Sequence, residues 1–557
     1  MHNSITLKSL RVLQSSLFLL AAILFLLCQP LGLAAQRRER VIDSWKPIHY
    51  DVALAFNDQI TEITAARTEI TLEVLTANLT KVDLDFGEMP IDEVTLSGAP
   101  ARFERKPGQL DVVLQRAARR GDKLSLAITY HGRPSDGLIF AKDRDGKPSL
   151  SGDNWPNRVH QWIPCLDHPS AKATVSFTVV TPSRDTVVAN GKFVTMTRNG
   201  NALSVWKFDE TKPIPAYCMV IAVSEGAKID ANESAVTPLS YYVPQKDAAY
   251  ALRGFAPAAP ALAFFSQTVA PYPYEKLALI IGATRFGGME NSSAIVFSST
   301  LFEPRGNDKM SVLFGIPTRI EDVVAHEIAH QWFGDSVTES TWADLWLSEG
   351  FATYFAGLFI EKHESEEAFR EYMRDAAGRY FAYEKQRNAP IHDTETLDLM
   401  RLLNPNNYEK GAWVLHMLRE RIGDEAFFKG LRDYYSAHRG ANATTEDLRR
   451  ALERSSGKNL KEFFARWVYS AGHPRYQVRW GLNRSGTFLK VTISQLQNGA
   501  AFLDPLPIEV EVNGQKIKRT IYPKSKVAAL TVRLSGKPTS TKFDPDETLL
   551  KEVVPAP

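Results

Sequence analysis

The segment His326-Glu327-Ile328-Ala329-His330 constrains this 557-residue chain more than any other. Two histidines four positions apart lie one above the other on a helix, because residues i and i+4 share a face. Both imidazoles then reach one ion, and the carboxylate of Glu327 can lean over a water held by that ion without binding it. A catalytic zinc takes three protein ligands and keeps a fourth position for water. Glu349 is the candidate for the third ligand, in the helical pattern from Trp346 to Tyr354. It lies 19 residues beyond His330, and with Asp335 to Thr341 as the turn region a second amphipathic helix can return antiparallel beside the first. Zinc lowers the pKa of its water toward about 7, so Glu327 as general base can take the proton and hand it to a leaving amine. The pattern thus predicts two packed helices carrying His326, His330 and Glu349 as metal ligands, with peptide-bond hydrolysis as the chemistry they suit.

The rest of the chain sorts around that centre. From about Ile48 to Ile229 apolar and polar residues alternate with period two between turn residues, as in Tyr50 to Phe56, Glu69 to Val74 and Val187 to Gly191, which predicts an all-β domain. Between about Tyr250 and Ala471 the pattern becomes helical, at Glu321 to Phe333, Leu347 to His363, Trp413 to Arg421 and Leu460 to Ser470. Alternation returns after Gly472-His473-Pro474, in Phe488 to Ile493 and Ile508 to Val512, with Asn513-Gly514 as a tight hairpin turn. The expectation is a multidomain α+β chain: residues 40–235 all-β, 236–472 mainly helical and carrying the chemistry, 473–557 a small β-sandwich.

At the N-terminus Lys8 and Arg11 precede an apolar run from Leu17 to Leu27, followed by Gln29-Pro30 and the small-residue stretch Gly32-Leu33-Ala34-Ala35. Residues 1–35 read as a secretory signal, with cleavage near Ala35 and export to the periplasm or cell exterior. An uncleaved membrane anchor is the alternative, although the run is about half the roughly 20 residues a spanning helix requires, so no stable membrane insertion is expected after cleavage. Beyond Cys28, only Cys165 and Cys218 remain, too few for a disulfide scaffold; one bridge or two buried thiols are both open, the thiols favoured. A formal charge of +2 offers no electrostatic footprint for nucleic acid.

Three separated segments resemble the M1 family of gluzincin metallopeptidases. They are His326 to Asp335 continued by Trp342 to Ala352, Gly287-Gly288-Met289-Glu290-Asn291, which is similar to the family's exopeptidase motif, and Tyr408-Glu409-Lys410-Gly411-Ala412, which is similar to the segment bearing its catalytic tyrosine. A weaker likeness extends to Trp162 to Pro169 and Ala471 to Pro474. The resemblance implies a saddle-like β N-terminal domain, a thermolysin-like catalytic domain and one zinc ion per chain. It also implies an aminopeptidase acting on peptides with a free N-terminus. By the same resemblance Glu290 binds the substrate's α-ammonium group, and Tyr408 stabilises the oxyanion of the tetrahedral intermediate. Gly287 and Gly288 either let substrate backbone lie along an edge strand or simply form a turn. Met289 and Asn291 complete that motif.

The departures matter as much. Ser292-Ser293-Ala294 stands where many relatives have Trp-Gly-Leu, which is expected to alter the cleft wall. Many relatives place Gln or Glu about ten residues before the Pro-Cys pair to assist amine binding; here Asn154, ahead of Asp153, is the candidate substitute. His168 replaces a Glu and Ala356 an acidic residue. The chain stops after the small β-sandwich where many relatives continue into a large helical domain, so a more open cleft is expected. Competing readings are an epoxide hydrolase with aminopeptidase activity, an endopeptidase, which Glu290 argues against, and a non-catalytic peptide-binding module, which the intact ligands, base and Tyr408 argue against.

Overall fold

A computed structural model describes residues 37–200, 202–231, 236–302, 310–313 and 316–555, with the side chains of residues 199, 310–313, 316 and 317 excepted. The expected leader, residues 1–35, lies outside the described residues.

Alternating patterns in the first third do form strands. Trp45–Phe56 is buried at every second position over most of its length and pairs antiparallel with Ile63–Val74 and parallel with Ala173–Pro182. These three lie within an eight-stranded sheet that also contains Lys192–Asn199, Leu203–Ile214, Lys123–Gly132, Ile91–Leu96 and Ala99–Pro100. A four-stranded and a three-stranded sheet accompany it, and Trp45, Tyr50, Trp162 and Phe177 belong to one buried core.

The second region begins with a sheet, which the helical texture from Tyr250 onward does not announce. Its strand order is Ala227–Asp230, Leu239–Val243, Leu277–Gly282, Ala294–Ser298, Gly288–Met289. Ala227–Asp230 was expected in the first domain, but it pairs antiparallel with Leu239–Val243, so the second sheet runs across the expected 235/236 division. The inner strands Leu277–Gly282 and Ala294–Ser298 are parallel and almost wholly buried, and such strands read as continuous apolar runs rather than as alternation. One face packs on the four-stranded sheet through Val188, Val220, Ala222, Ala278, Ile280, Ala294 and Val296, which joins the two regions.

Helices follow, in chain order α1 (Ala248–Gly254), α2 (Ala258–Thr268), α3 (Ile320–His330), α4 (Trp346–His363), α5 (Glu366–Glu384), α6 (Gly411–Ile422), α7 (Asp424–His438), α8 (Thr445–Ser456) and α9 (Lys461–Trp467). One correction concerns α4, expected to be amphipathic. Every residue from Trp346 to Ile360 is buried, because α4 is the central helix and has neighbours on all sides. Beyond α9 the chain forms a four-stranded sheet (Val527–Arg533, Phe488–Gln495, Arg475–Leu482, Glu552–Val554) and a three-stranded one (Gln515–Ile521, Leu506–Val512, Pro538–Phe543). Asn513 and Gly514 both take positive φ, 52° and 77°, in the two-residue turn that sets Val512 opposite Gln515. Buried Val491 and Ile493 of one sheet and Ile508 and Val510 of the other share a core with the helices.

Lys172 ties the β region to the connection between α3 and α4. Its Nζ donates to the carbonyls of Asp335 and Ser336 at 2.8 Å each and to Thr338 Oγ1 at 2.9 Å. Lys172→Met removes these three charge-assisted hydrogen bonds and is expected to lower stability by about 1–3 kcal/mol, read as a lower midpoint in denaturant unfolding; an unchanged midpoint would refute the tie.

Candidate metal centre

His326 and His330 project from α3, and Glu349 from the first turn of α4 packed beside it. The Nε2 atoms of the two histidines are 3.0 Å apart, and each is 3.3 Å from Oε2 of Glu349. His330 Nδ1 lies 3.1 Å from the Phe333 carbonyl, which accepts its proton and leaves Nε2 with a free lone pair. Glu349 Oε2 is buried and receives no hydrogen bond. Two nitrogen lone pairs and one orphaned carboxylate oxygen thus converge on one point. A tetrahedral ion with ligands at about 2.0–2.1 Å spaces those ligands about 3.3 Å apart. The observed triangle fits such an ion.

Electrostatics points the same way. Burial opposes charge on both Glu349 and His330, yet their mutual attraction overrides it, holding Glu349 at about 2 and raising His330 to about 10. A proton on His330 is thus the stand-in for a cation among these groups, and metal uptake must displace it.

Glu327, between the two histidines, is 6% exposed, and burial followed by the nearby Glu290, Glu349 and Asp335 raises its carboxyl well above the usual range despite His330. Its carboxylate lies directly over Gly288 of the edge strand: a Cβ at position 288 would overlap it. Gly288 therefore makes room for Glu327, a role the sequence did not disclose. Tyr408 stands in a turn of π-helix, Asn406–Lys410, with its ring stacked on His326 at 5.9 Å. Burial, reinforced by Glu349, keeps the phenol protonated and able to donate. The turn reaches this place because α4 and α6 touch at two glycines: a Cβ on Gly350 would lie 2.9 Å from Gly411 Cα.

Glu290 follows the edge strand Gly288–Met289 and is 6% exposed. Burial, opposed by His330 and assisted by Glu349, raises its carboxyl to about 7. Among the described residues no Lys or Arg nitrogen lies within 4.0 Å of it. Its backbone is fastened by Gln331, the residue after His330, which is 0% exposed. Gln331 Nε2 donates to Glu290 O and to Asp335 Oδ2, 2.8 Å each, while Oε1 accepts from Ser293 N and Tyr272 Oη. This clamp was not singled out from the sequence, and its one signal is adjacency to His330.

Other expectations change. Asn154 does not fit an amine-binding role: it is fully buried, accepts from Trp162 Nε1 and donates to the Met219 carbonyl. Asp153 is engaged by Arg158 and Thr284. Asn291 is likewise 0% exposed and donates to the Met289 carbonyl, so it shapes the loop rather than offering a surface. Ser292 and Ser293 do not alter the cleft wall, for both are fully buried and Ser293 Oγ faces inward, donating to Glu210 and accepting from Gly191 N. Met289 packs with Trp155, Tyr217, Trp342, Leu345 and Leu402 in an apolar cluster beside Glu290. His168 contacts Glu39 at 2.9 Å, and Glu39 in turn accepts from Trp342 N. Cys165 and Cys218 are both free and buried, and Cys218 Sγ donates to Asp335.

Comparison with known proteins agrees with this arrangement. Residues 46–218 match the profile of the Peptidase M1 N-terminal domain and 255–467 that of the Peptidase family M1 domain. "Probable aminopeptidase 1" of Saccharolobus solfataricus is 28% identical over 78% of this chain and 55% of its own length. "Tricorn protease-interacting factor F2" of Thermoplasma acidophilum is 27% identical over the same shares. Glutamyl aminopeptidase of Rattus norvegicus is 26% identical over 91% of this chain and 56% of its own. The chain thus spans little more than half the length of these relatives. The crystal structure of an M1 zinc metallopeptidase from Deinococcus radiodurans shares the fold, with TM-score 0.62 and 24% identity over 76% of this chain and 93% of that one.

Two substitutions separate metal binding from the placement of the base. Glu349→Ala is expected to weaken zinc binding by about 100-fold or more, and Gly288→Ala to leave it intact while peptide-bond turnover falls by about 100-fold. Equilibrium dialysis with zinc beside turnover assays reads both. Tight stoichiometric zinc in Glu349→Ala, or full turnover in Gly288→Ala, would refute the assignment.

Proposed function

The chain belongs to peptidase family M1, and from that premise we propose that it is a zinc-dependent aminopeptidase that hydrolyses the first peptide bond of peptides with a free N-terminus. The observation that carries this reading is Glu290, a buried carboxylate beside the metal ligands with no Lys or Arg within 4.0 Å among the described residues. A buried carboxylate without a partner is costly. A peptide's α-ammonium supplies the missing cation, and a blocked or internal peptide does not.

His326, His330 and Glu349 would hold zinc, which when bound supplies a Lewis acid and lowers the pKa of water toward about 7. Glu290 pairs with the substrate ammonium and so sets the first peptide bond, not a later one, over the centre. Glu327 takes the proton of the attacking water; its raised basicity suits a base that must then pass the proton to the leaving amine. Tyr408, protonated, donates a hydrogen bond to the oxygen that develops negative charge. The apolar cluster around Met289 and Trp342 offers a wall for the N-terminal side chain. We further read residues 40–235 as a saddle-like β domain, 236–472 as a thermolysin-like domain and 473–557 as a β-sandwich, with the first strand of the second sheet lying across the first boundary. Export follows from the leader pattern of residues 1–35. Among the described residues no helix is long and apolar enough to cross a membrane.

A panel of aminoacyl fluorogenic amides, each beside its N-acetylated form and with or without chelator, tests the reading. Free-amine substrates are expected to be cleaved, acetylated ones not, and chelator to abolish turnover. Glu290→Gln should lower kcat/KM for free-amine substrates about 100-fold, and Glu327→Gln should keep zinc while kcat falls at least about 1000-fold. Equal cleavage of free and blocked substrates would sink the exopeptidase claim.

The pH dependence has a definite sign. Glu290 must be ionised and the substrate amine protonated, and burial raises Glu290 to about 7 before any divalent cation pulls it lower. The kcat/KM profile should therefore fall on the acid side at or below about pH 7 and on the alkaline side near the ordinary α-amine value of about 8. A profile still rising above pH 9 with free-amine substrates would contradict pairing of carboxylate with ammonium.

A further inference from the structure

A second site lies away from the metal centre, where helices α5 and α9 meet the C-terminal sheets. There a hollow of about 420 Å³ opens between Glu384, Lys385 and Asn388 at the end of α5, Arg466 on α9, the linker around His473, and Asn498 of the C-terminal unit. Its acids already have partners. Glu384 lies 2.5 Å from His473 Nδ1 and accepts from Tyr380 Oη at 3.1 Å. Glu552 lies 3.3 Å from His473 Nε2 and accepts from Arg475 Nε at 2.9 Å.

Its cations do not. Arg466 lays its guanidinium on the face of Phe502, 3.7 Å from the ring centroid, and its Nε is buried with no acceptor. Among the described residues neither Arg466 nor Lys385 has a carboxylate oxygen within 4.0 Å, and the side-chain amides of Asn388 and Asn498 make no hydrogen bond. Behind the wall Lys410 is 0% exposed, its Nζ has no acceptor, and it sits 5.4 Å from the centroid of Tyr380, the ring whose hydroxyl holds Glu384. A fixed planar guanidinium, an ammonium and two open amides thus border a space large enough for a small polyatomic ligand, with the buried amine of Lys410 behind.

We propose that this hollow is a binding site for an oxyanion, a carboxylate or a phosphate. A stacked guanidinium presents its remaining N–H groups in a fork that matches two oxygens of such a group, and stacking on Phe502 fixes that fork before the ligand arrives. Lys385 at the rim adds attraction that salt will screen. Asn388 and Asn498 supply neutral donors. Lys410 lies two residues from Tyr408 in the same π-turn, so the hollow and the metal centre share a structural element. The site itself stands on its own residues and does not require the peptidase reading.

Titration calorimetry of the purified full chain with inorganic phosphate in low-salt buffer tests it. Saturable binding that weakens with added sodium chloride is expected. Arg466→Gln should weaken it about tenfold or more and Lys385→Gln about threefold, with Lys123→Gln, an exposed lysine of the first β region, as the unchanged control. Lys385 is exposed, so its variant folds whatever Arg466→Gln does. Competition with an N-acetylated tetrapeptide acid and its C-terminal amide separates the sources. Displacement by the acid alone identifies a peptide carboxylate, and displacement by neither identifies a free phosphate-like anion; both support the site. Phosphate bound at the metal centre would be indifferent to both substitutions. The absence of saturable binding, or wild-type affinity in both variants, would overturn the proposal.

Discussion

Two imidazole nitrogens and a carboxylate oxygen held within 3.0–3.3 Å of one another, in a buried place, are the constraint around which the catalytic region is arranged. Such a triangle demands two helices in register over several turns. It explains why α4 is buried on all sides: a helix that carries a ligand in its first turn must be fixed along its whole length, or the oxygen drifts. The aromatic stack of Phe333, Phe351 and Phe355, with centroids 4.3–6.3 Å apart, locks α4 to the turn that follows α3. The glycine contact between Gly350 and Gly411 then brings the Tyr408 turn against the residue next to the ligand. The carboxylate of Glu349 and the phenol of Tyr408 are placed by one packing event rather than two.

The same region concentrates acid. Glu290, Glu327, Asp335, Glu339 and Glu349 are all buried, and each except Glu349 is raised by burial with its acidic neighbours adding to the effect. Glu339 has neither oxygen hydrogen-bonded to another residue. Raised carboxyls in a dry pocket stay neutral until a cation arrives to pair with them, and the proposed chemistry brings two, a divalent ion at the His326, His330, Glu349 triangle and an ammonium at Glu290. Burial that would be a liability in a structural core is thus the means by which a site discriminates for positive charge.

Much of this was legible in the sequence, for identifiable reasons. Helical spacing places His326, Glu327 and His330 without reference to anything distant, so α3 and its two candidate histidine ligands could be read directly, and period-two alternation located the strands of the first and last regions. The parallel strands Leu277–Gly282 and Ala294–Ser298 escaped because a strand buried on both faces does not alternate. The amphipathic reading of α4 failed for the matching reason, since a central helix has no polar face. Asn154 fails in its expected role because partners far along the chain, Met219 in particular, decide which way a polar side chain turns. The place of Gly288 beneath Glu327 is of the same kind: a requirement set by a residue 39 positions away in sequence.

Gln331 shows most clearly how the two halves of the site become one. Its neighbour His330 is a proposed ligand, while its own amide, saturated on both ends, grips the backbone on either side of Asn291 and Ser292, at Glu290 O and Ser293 N. Ser293 accepts that grip in a left-handed conformation, φ 62°, which a side chain adopts at some strain. Asn190 of the first β region holds the same turn from the other side by donating to the Ser292 carbonyl, and Gly191 N donates to Ser293 Oγ. The loop with Glu290 is therefore clamped between the end of α3 and the β region. Any shift of one against the other changes the distance between Glu290 and the His326, His330, Glu349 triangle, which in the proposed function is the distance that would select the first peptide bond over the second. The departure at Ser292-Ser293-Ala294 thus bears on how firmly that distance is held, since Ser293 contributes a hydroxyl to the clamp where many relatives of the family resemblance have glycine.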